Sequence, residues 1–220
     1  LDQCGYAGDA EREGRAAAAA DCDPWAVHAV AHALDTRGAV AEGQAWMRAR
    51  SRDWGQCSSF MFTHNWWHTA LFDLDRGNAD AALALYDGSI WGVRKDYAQD
   101  QINAIALLAR LQLRGIDVGD RWNDIAAYLR DGRTGDHLNG FLDLHYVLAL
   151  CNAGLDSERD AMLATLAEAA RAERGSRPLG TTLLAARAII AHASGDFDRA
   201  AALFDQAPVL GRIDLLEHGL

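Results

Sequence analysis

Apolar residues recur along this chain in helical runs of about 12–15 residues, and a glycine follows each run. Gly38, Gly77, Gly115, Gly154 and Gly195 stand 39, 38, 39 and 41 residues apart by subtraction. Such a glycine fits the left-handed position that closes a helix. A second helical run follows most of them, and a fixed period of helix, glycine turn and helix marks an α-solenoid. The pattern predicts first (inner) helices near 24–36, 60–76, 98–114, 137–153 and 179–194. It predicts second (outer) helices near 40–50, 79–87, 118–130, 156–172 and 197–206. Asp23-Pro24 gives one clear helix start, with Asp as cap and Pro in the first turn; Ser157-Glu158 and Asp196 are weaker starts.

The last unit fits the tetratricopeptide pattern best. Gly195 and Ala200 are followed by Phe204 and Ala207, and the same order recurs as Gly77, Ala82, Tyr86 and Ser89. Small residues at these places let helices approach closely, and the aromatic ring fills the gap beside them. The expected fold is therefore an all-α, TPR-like α-solenoid of about five helical hairpins, with 1–220 as a single domain. Gly5, Ala10 and Ala17 match the second half of an earlier unit, and Ile213–Leu220 begins a further element. A solenoid without polar caps exposes an apolar end. The expectation is thus a fragment of a longer repeat protein, or one that pairs its open ends by self-association or with a second chain.

Composition narrows the partners. Hydrophobic residues make up 50% of the 220, enough for a core, and Pro numbers only 3. A net charge of −10, with no basic run longer than Arg94-Lys95, argues against nucleic acid and against a polybasic membrane anchor. No apolar run approaches the roughly 20 residues of a membrane span. Cys4, Cys22, Cys57 and Cys151 are irregularly spaced without a CxxC pair, which favours a reduced, cytoplasmic protein.

The chemistry concentrates in histidine. His28-Ala29-Val30-Ala31-His32 and His64-Asn65-Trp66-Trp67-His68 each place two imidazoles four residues apart, on one face of the first helices of adjacent hairpins. His64, His28, His68 and His32 lie 13, 10, 9 and 6 residues before their own glycines. At 3.6 residues per turn those offsets fall within an arc of roughly 100°. In TPR stacks that arc faces the concave groove, and Trp67 shares it, with Trp25 as a further neighbour. His145 stands 9 residues before Gly154, as His68 does before Gly77, and joins Asp100 and Asp143 as second-rank candidates. Asp100 also opens its helix, where a carboxylate is favourable in any case. His137, His192 and His218 read as helix-end or surface residues without a role. Trp46, Trp54, Trp91 and Trp122 read as packing.

Paired imidazoles can chelate a transition metal. No glutamate follows His28 or His64, so the zinc-protease HExxH base is missing. Neutral imidazoles and indoles also suit a small aromatic or anionic ligand. No GxSxG motif or phosphate-cradling glycine loop is present, and no nucleophile stands out. Buried histidines can also simply fill space with their hydrogen bonds made.

Asp23-Pro24-Trp25-Ala26-Val27-His28-Ala29-Val30-Ala31-His32 resembles a signature of the tetratricopeptide repeat protein 38 family. So do His64-Asn65-Trp66-Trp67-His68 with Ala70-Leu71-Phe72, and Ala84-Leu85-Tyr86-Asp87. The resemblance covers most of the chain and corresponds to the C-terminal half of that family. It implies an α-helical repeat protein of a kind found in bacteria and animals, and carries over no activity, cofactor or catalytic residue.

The leading expectation is a TPR-like protein binding a small molecule or peptide in a groove lined by His28, His32, His64, Trp67 and His68, with Asp100, Asp143 and His145 behind them. The alternatives are a metal-dependent enzyme with those imidazoles as ligands, and a protein–protein scaffold.

Overall fold

The computed structural model describes residues 1, 4–21, 23–129, 134–173 and 179–206. Among these the chain is all-helical, without a strand. Its α-helices are α1 (Ala7–Ala20), α2 (Pro24–Thr36), α3 (Val40–Arg50), α4 (Ser59–Asp75), α5 (Ala79–Leu85), α6 (Ala98–Leu113), α7 (Arg121–Leu129), α8 (Gly140–Asn152), α9 (Asp156–Ala172), α10 (Leu179–Ala193) and α11 (Phe197–Asp205). The chain divides into two compact units, Leu1–Val118 and Gly119–Leu220. The boundary falls in the connection between α6 and α7, within the third expected hairpin.

In the first unit consecutive helices pack together from α1 to α5, and α4 also packs on α2 and α6, the three helices expected as inner ones. In the second unit α8 packs on α7, α9 and α10, and α10 also packs on α9 and α11. None of the described helices is long and apolar enough to cross a membrane.

The glycine period has a direct cause. Gly38, Gly77, Gly115, Gly154 and Gly195 adopt φ of +67°, +79°, +76°, +67° and +81°. After Gly38, the Ala39 N–H reaches back to Leu34 O at 2.9 Å while the Gly38 N–H bonds Asp35 O at 2.8 Å. That pair of bonds is a Schellman closure, and it satisfies carbonyls the helix leaves without donors. The same two bonds recur after each of the other four glycines, as Asn78 to Asp73, Ile116 to Leu111, Leu155 to Leu150 and Asp196 to Ala191 show. Helix starts are less uniform. Asp23 accepts from the Trp25 N–H with Pro24 in the first turn, and Asp196 accepts from the Arg199 N–H, as expected. Ser157 does not cap: α9 begins at Asp156 behind Leu155, with no side-chain cap.

The core of the first unit gathers Val27, Val30, Ala31 and Leu34 of α2 with Ala18, Met47, Trp54 and Phe72. Small residues set the spacing. A β-carbon on Gly14 of α1 would lie 2.7 Å from Val30 Cγ2, and one on Gly43 of α3 would run into the Phe72 ring.

Several local expectations change. Outer helix 79–87 stops being α-helical at Leu85 and continues as a π-turn over Tyr86–Ile90, and a 3₁₀ helix occupies Ser51–Gln56. The fourth inner helix starts at Gly140 rather than near 137, because Asn139 caps it by accepting from the Phe141 N–H. Ala17 is exposed; α1 buries Ala10, Gly14 and Ala18, one turn apart. Tyr86 fills its gap at 1% exposure, but Phe204 on the last described helix is 47% exposed. Trp54, Trp91 and Trp122 are buried as packing residues. The guanidiniums of Arg15 and Arg50 each lie over the Trp46 ring, and its Nε1–H bonds Val27 O at 3.1 Å. Cys22, Ala207, His218 and Ile213–Leu220 lie outside the described residues.

A four-histidine candidate metal centre

The two HxxxH pairs meet inside the first unit. Because α2 packs directly on α4, the faces that carry the pairs oppose each other. His28, His32, His64 and His68 each offer a ring nitrogen, and these atoms all lie within 4.8 Å of one another. Ring centroids are 4.4 Å apart for His28–His32, 4.8 Å for His28–His64, 4.6 Å for His32–His68 and 4.8 Å for His64–His68. His28 and His32 bring their Nε2 atoms to 3.0 Å. A tetrahedral zinc site with bonds of about 2.0–2.1 Å sets its nitrogens about 3.3–3.4 Å apart, close to this spacing.

The cluster is graded in exposure. His64 and His68, on α4, are 7% and 4% exposed, whereas His28 and His32, on α2, are half-buried. His64 is fixed on three sides. Phe60 stacks on it at 4.9 Å and Trp67 at 5.5 Å with an interplanar angle of 8°. Its Nδ1 lies 3.1 Å from Asn103 Oδ1 on α6. The amide oxygen can only accept, so Nδ1 carries the proton and Nε2 keeps its lone pair. His68 Nε2 is buried without a hydrogen-bond partner. An orphaned polar atom of that kind costs about 1–3 kcal/mol unless something fills it.

Electrostatics favour the neutral form of three of the rings. Burial drives His64 down to about 4 despite the Asn103 bond. Burial first, then neighbouring imidazoles, holds His28 and His68 well below the ordinary value. A neutral imidazole is the metal-binding form, so protons compete weakly for these nitrogens near pH 7.

Of the expected site residues, the structure gathers His28, His32, His64 and His68, with Trp67 as a wall only 2% exposed. Trp25, 56% exposed, meets His28 edge-on at 6.0 Å and Phe60 at 6.2 Å. Asp100 is fully buried and accepts from the Thr63 hydroxyl at 2.6 Å, and the ligand cluster does not include it. Asp143 and His145 lie in the second unit. Asp143 Oδ1 is 3.1 Å from His137 Nδ1, and His145 Nδ1–H donates to Phe141 O at 2.8 Å.

His137 therefore has a structural role that its expected helix-end position did not suggest. It is 4% exposed at φ +45°, and its Nε2 lies 2.9 Å from Thr165 Oγ1. It ties the segment before α8 to α9. Asn103 was missed as well. The available signal was an amide three residues beyond Asp100, in the apolar stretch of the next inner helix.

No family model matches the chain, and no solved structure matches it significantly. Fold and site define a class: an all-helical protein with four imidazoles converging between two neighbouring helices.

Proposed function

We propose that this chain is a TPR-like α-solenoid protein whose first unit binds one first-row transition-metal ion through His28, His32, His64 and His68. The observation that carries the reading is the convergence of four ring nitrogens within 4.8 Å. Three features support it further: the orphaned His68 Nε2, the Asn103 bond that frees His64 Nε2, and the neutrality of the His28 and His68 rings. A donor set of imidazoles alone suits zinc, copper, iron or nickel, and suits the oxygen-seeking magnesium and calcium poorly. The solenoid part rests on the five repeated Schellman closures and on inner helices packing on each other within each unit. Kinship with the tetratricopeptide repeat protein 38 family belongs to the same proposal and rests on the two histidine motifs. Cytoplasmic placement fits the unpaired Cys4, Cys57 and Cys151.

The test is elemental analysis of protein purified without chelator, beside a His64→Ala, His68→Ala variant. Near-stoichiometric zinc, copper, iron or nickel, lost in the variant, is the expected result. Metal-free protein that also fails to take up added zinc or copper would end the reading. A small organic ligand or peptide is the second reading. Exposed Trp25, set against His28 and Phe60, favours it as a ring on which a ligand can stack.

A further inference from the structure

A divalent ion held by four neutral imidazoles keeps both of its positive charges. The donor set contains no carboxylate, and Asp100 is committed to Thr63. Burying such a charge without a counter-charge is costly. A third positive charge stands close by. Arg110 of α6 lies over the Trp67 ring at 5.3 Å, and the same indole meets His68 at 5.0 Å. The guanidinium donates from Nη1 to Ala106 O, in its own helix, at 3.0 Å. Asp35 and Asp75 act on it through charge at longer range, and its own charge reaches His68. The half-buried His28 and His32 leave the cluster open to solvent on the α2 side.

Resting on the metal reading, we infer that this face of the first unit binds a small oxyanion, held jointly by the ion and the Arg110 guanidinium. A planar guanidinium carries five N–H donors, and its fork suits a carboxylate or phosphate. The anion supplies the negative charge that the ligand set lacks. Asp35 carries an opposing charge. Ionised, it competes with the anion for the Arg110 guanidinium, although burial first and then Asp75 raise its carboxyl above the ordinary value.

The test uses the cobalt(II)-loaded protein, whose visible spectrum reports ligand exchange at the ion. Acetate and inorganic phosphate are titrated separately, and the tighter of the two identifies the source of the oxyanion. A saturable spectral change is expected in the wild type. Arg110→Gln should bind the anion about tenfold more weakly at unchanged cobalt stoichiometry, and Arg110→Lys should fall between. Asp35→Asn should bind it more tightly, a result that stands even where Arg110→Gln fails to fold. A spectrum indifferent to both anions, or the same affinity in all variants, overturns the inference while leaving the metal site intact. Failure of cobalt to bind at all overturns the metal reading, and this inference with it.

Discussion

Replacing Asn103 by leucine keeps the side-chain volume and removes the acceptor that faces His64 Nδ1 at 3.1 Å. Both residues are buried, at 4% and 7% exposure, so water does not readily take the place of the lost oxygen. The ring is then free to move its proton to Nε2. With two tautomers equally populated, only half the protein has the binding form, which costs about 0.4 kcal/mol. Loss of orientation adds more. Groups that orient a ligating histidine are worth about 10–100-fold in metal affinity, or about 1.4–2.7 kcal/mol. Competition with a chromogenic zinc chelator measures this directly. Asn103→Leu should bind zinc about 10–100-fold more weakly, while Asn103→Asp, which keeps an acceptor at the same place, should stay within about threefold of wild type. Wild-type affinity in Asn103→Leu would refute the orienting role, and equal loss in both variants would assign the effect to packing.

Three further outcomes follow from the first unit. Gly43→Ala drives a methyl into the Phe72 ring, so despite its better helix propensity it should cost about 1–2 kcal/mol net, read as a lower thermal midpoint; an unchanged midpoint would mean that α3 and α4 can separate freely. Asp73→Ala strands Arg48, which pairs with the fully buried carboxylate at 2.6 Å, and also Gln44; a loss of about 2 kcal/mol in urea unfolding is expected, and none would show that the half-exposed Arg48 hydrates instead. Acidification should destabilise the metal-free protein, because an unfolded imidazole takes its proton near 6.5 and folded His64 only near 4. The unfolded state binds more protons in that window, so stability falls as pH falls, and His64 alone contributes a loss of about 2 kcal/mol between about pH 7 and pH 5. His28 and His68 act in the same direction, and equal denaturation midpoints at the two pH values in chelator would contradict the burial of these rings.

The helices were legible because their ends are written locally. A left-handed backbone position is needed only where a helix turns back, and Gly38 through Gly195 record five such places. Asp23-Pro24 is likewise a purely local start signal. What failed to show was whatever depends on a neighbour in space. The π-turn after Leu85, the late start of α8 and the capless start of α9 answer to packing, and propensity alone does not report it. The site divides the same way. Counting back from each glycine placed four imidazoles on one arc, since the glycine fixes the helix phase. The identity of Asn103 as the partner of His64 depends on how α6 leans on α4, and no offset along the chain encodes that. His137 shows the opposite error. Its place at the expected start of a helix read as a helix-end or surface position, yet it is buried and its ring nitrogens meet Asp143 and Thr165.

An HxxxH pair on one helix is a weak chelator, because it supplies two donors and leaves the rest of the coordination sphere to water. Here the pairs sit on α2 and α4, and the outer helix α3 between them in sequence lets the two inner helices touch. The stack itself therefore supplies the second pair, and α6 supplies the orienting amide and the Arg110 charge. Each inner helix contributes a different kind of group to one face: open donors from α2, buried donors from α4, supporting groups from α6. On the proposed metal reading, affinity for an ion would measure how well three neighbouring helices are packed. A metal bound only to the folded arrangement stabilises that packing in turn. Substitutions in the packing around α4 and remote from any histidine, such as Gly43→Ala against Phe72, should consequently weaken zinc binding in the chelator competition along with stability. Substitutions on the outward face of α3 should change neither, and a Gly43→Ala protein that is destabilised yet binds zinc as tightly as wild type would uncouple the site from the stack.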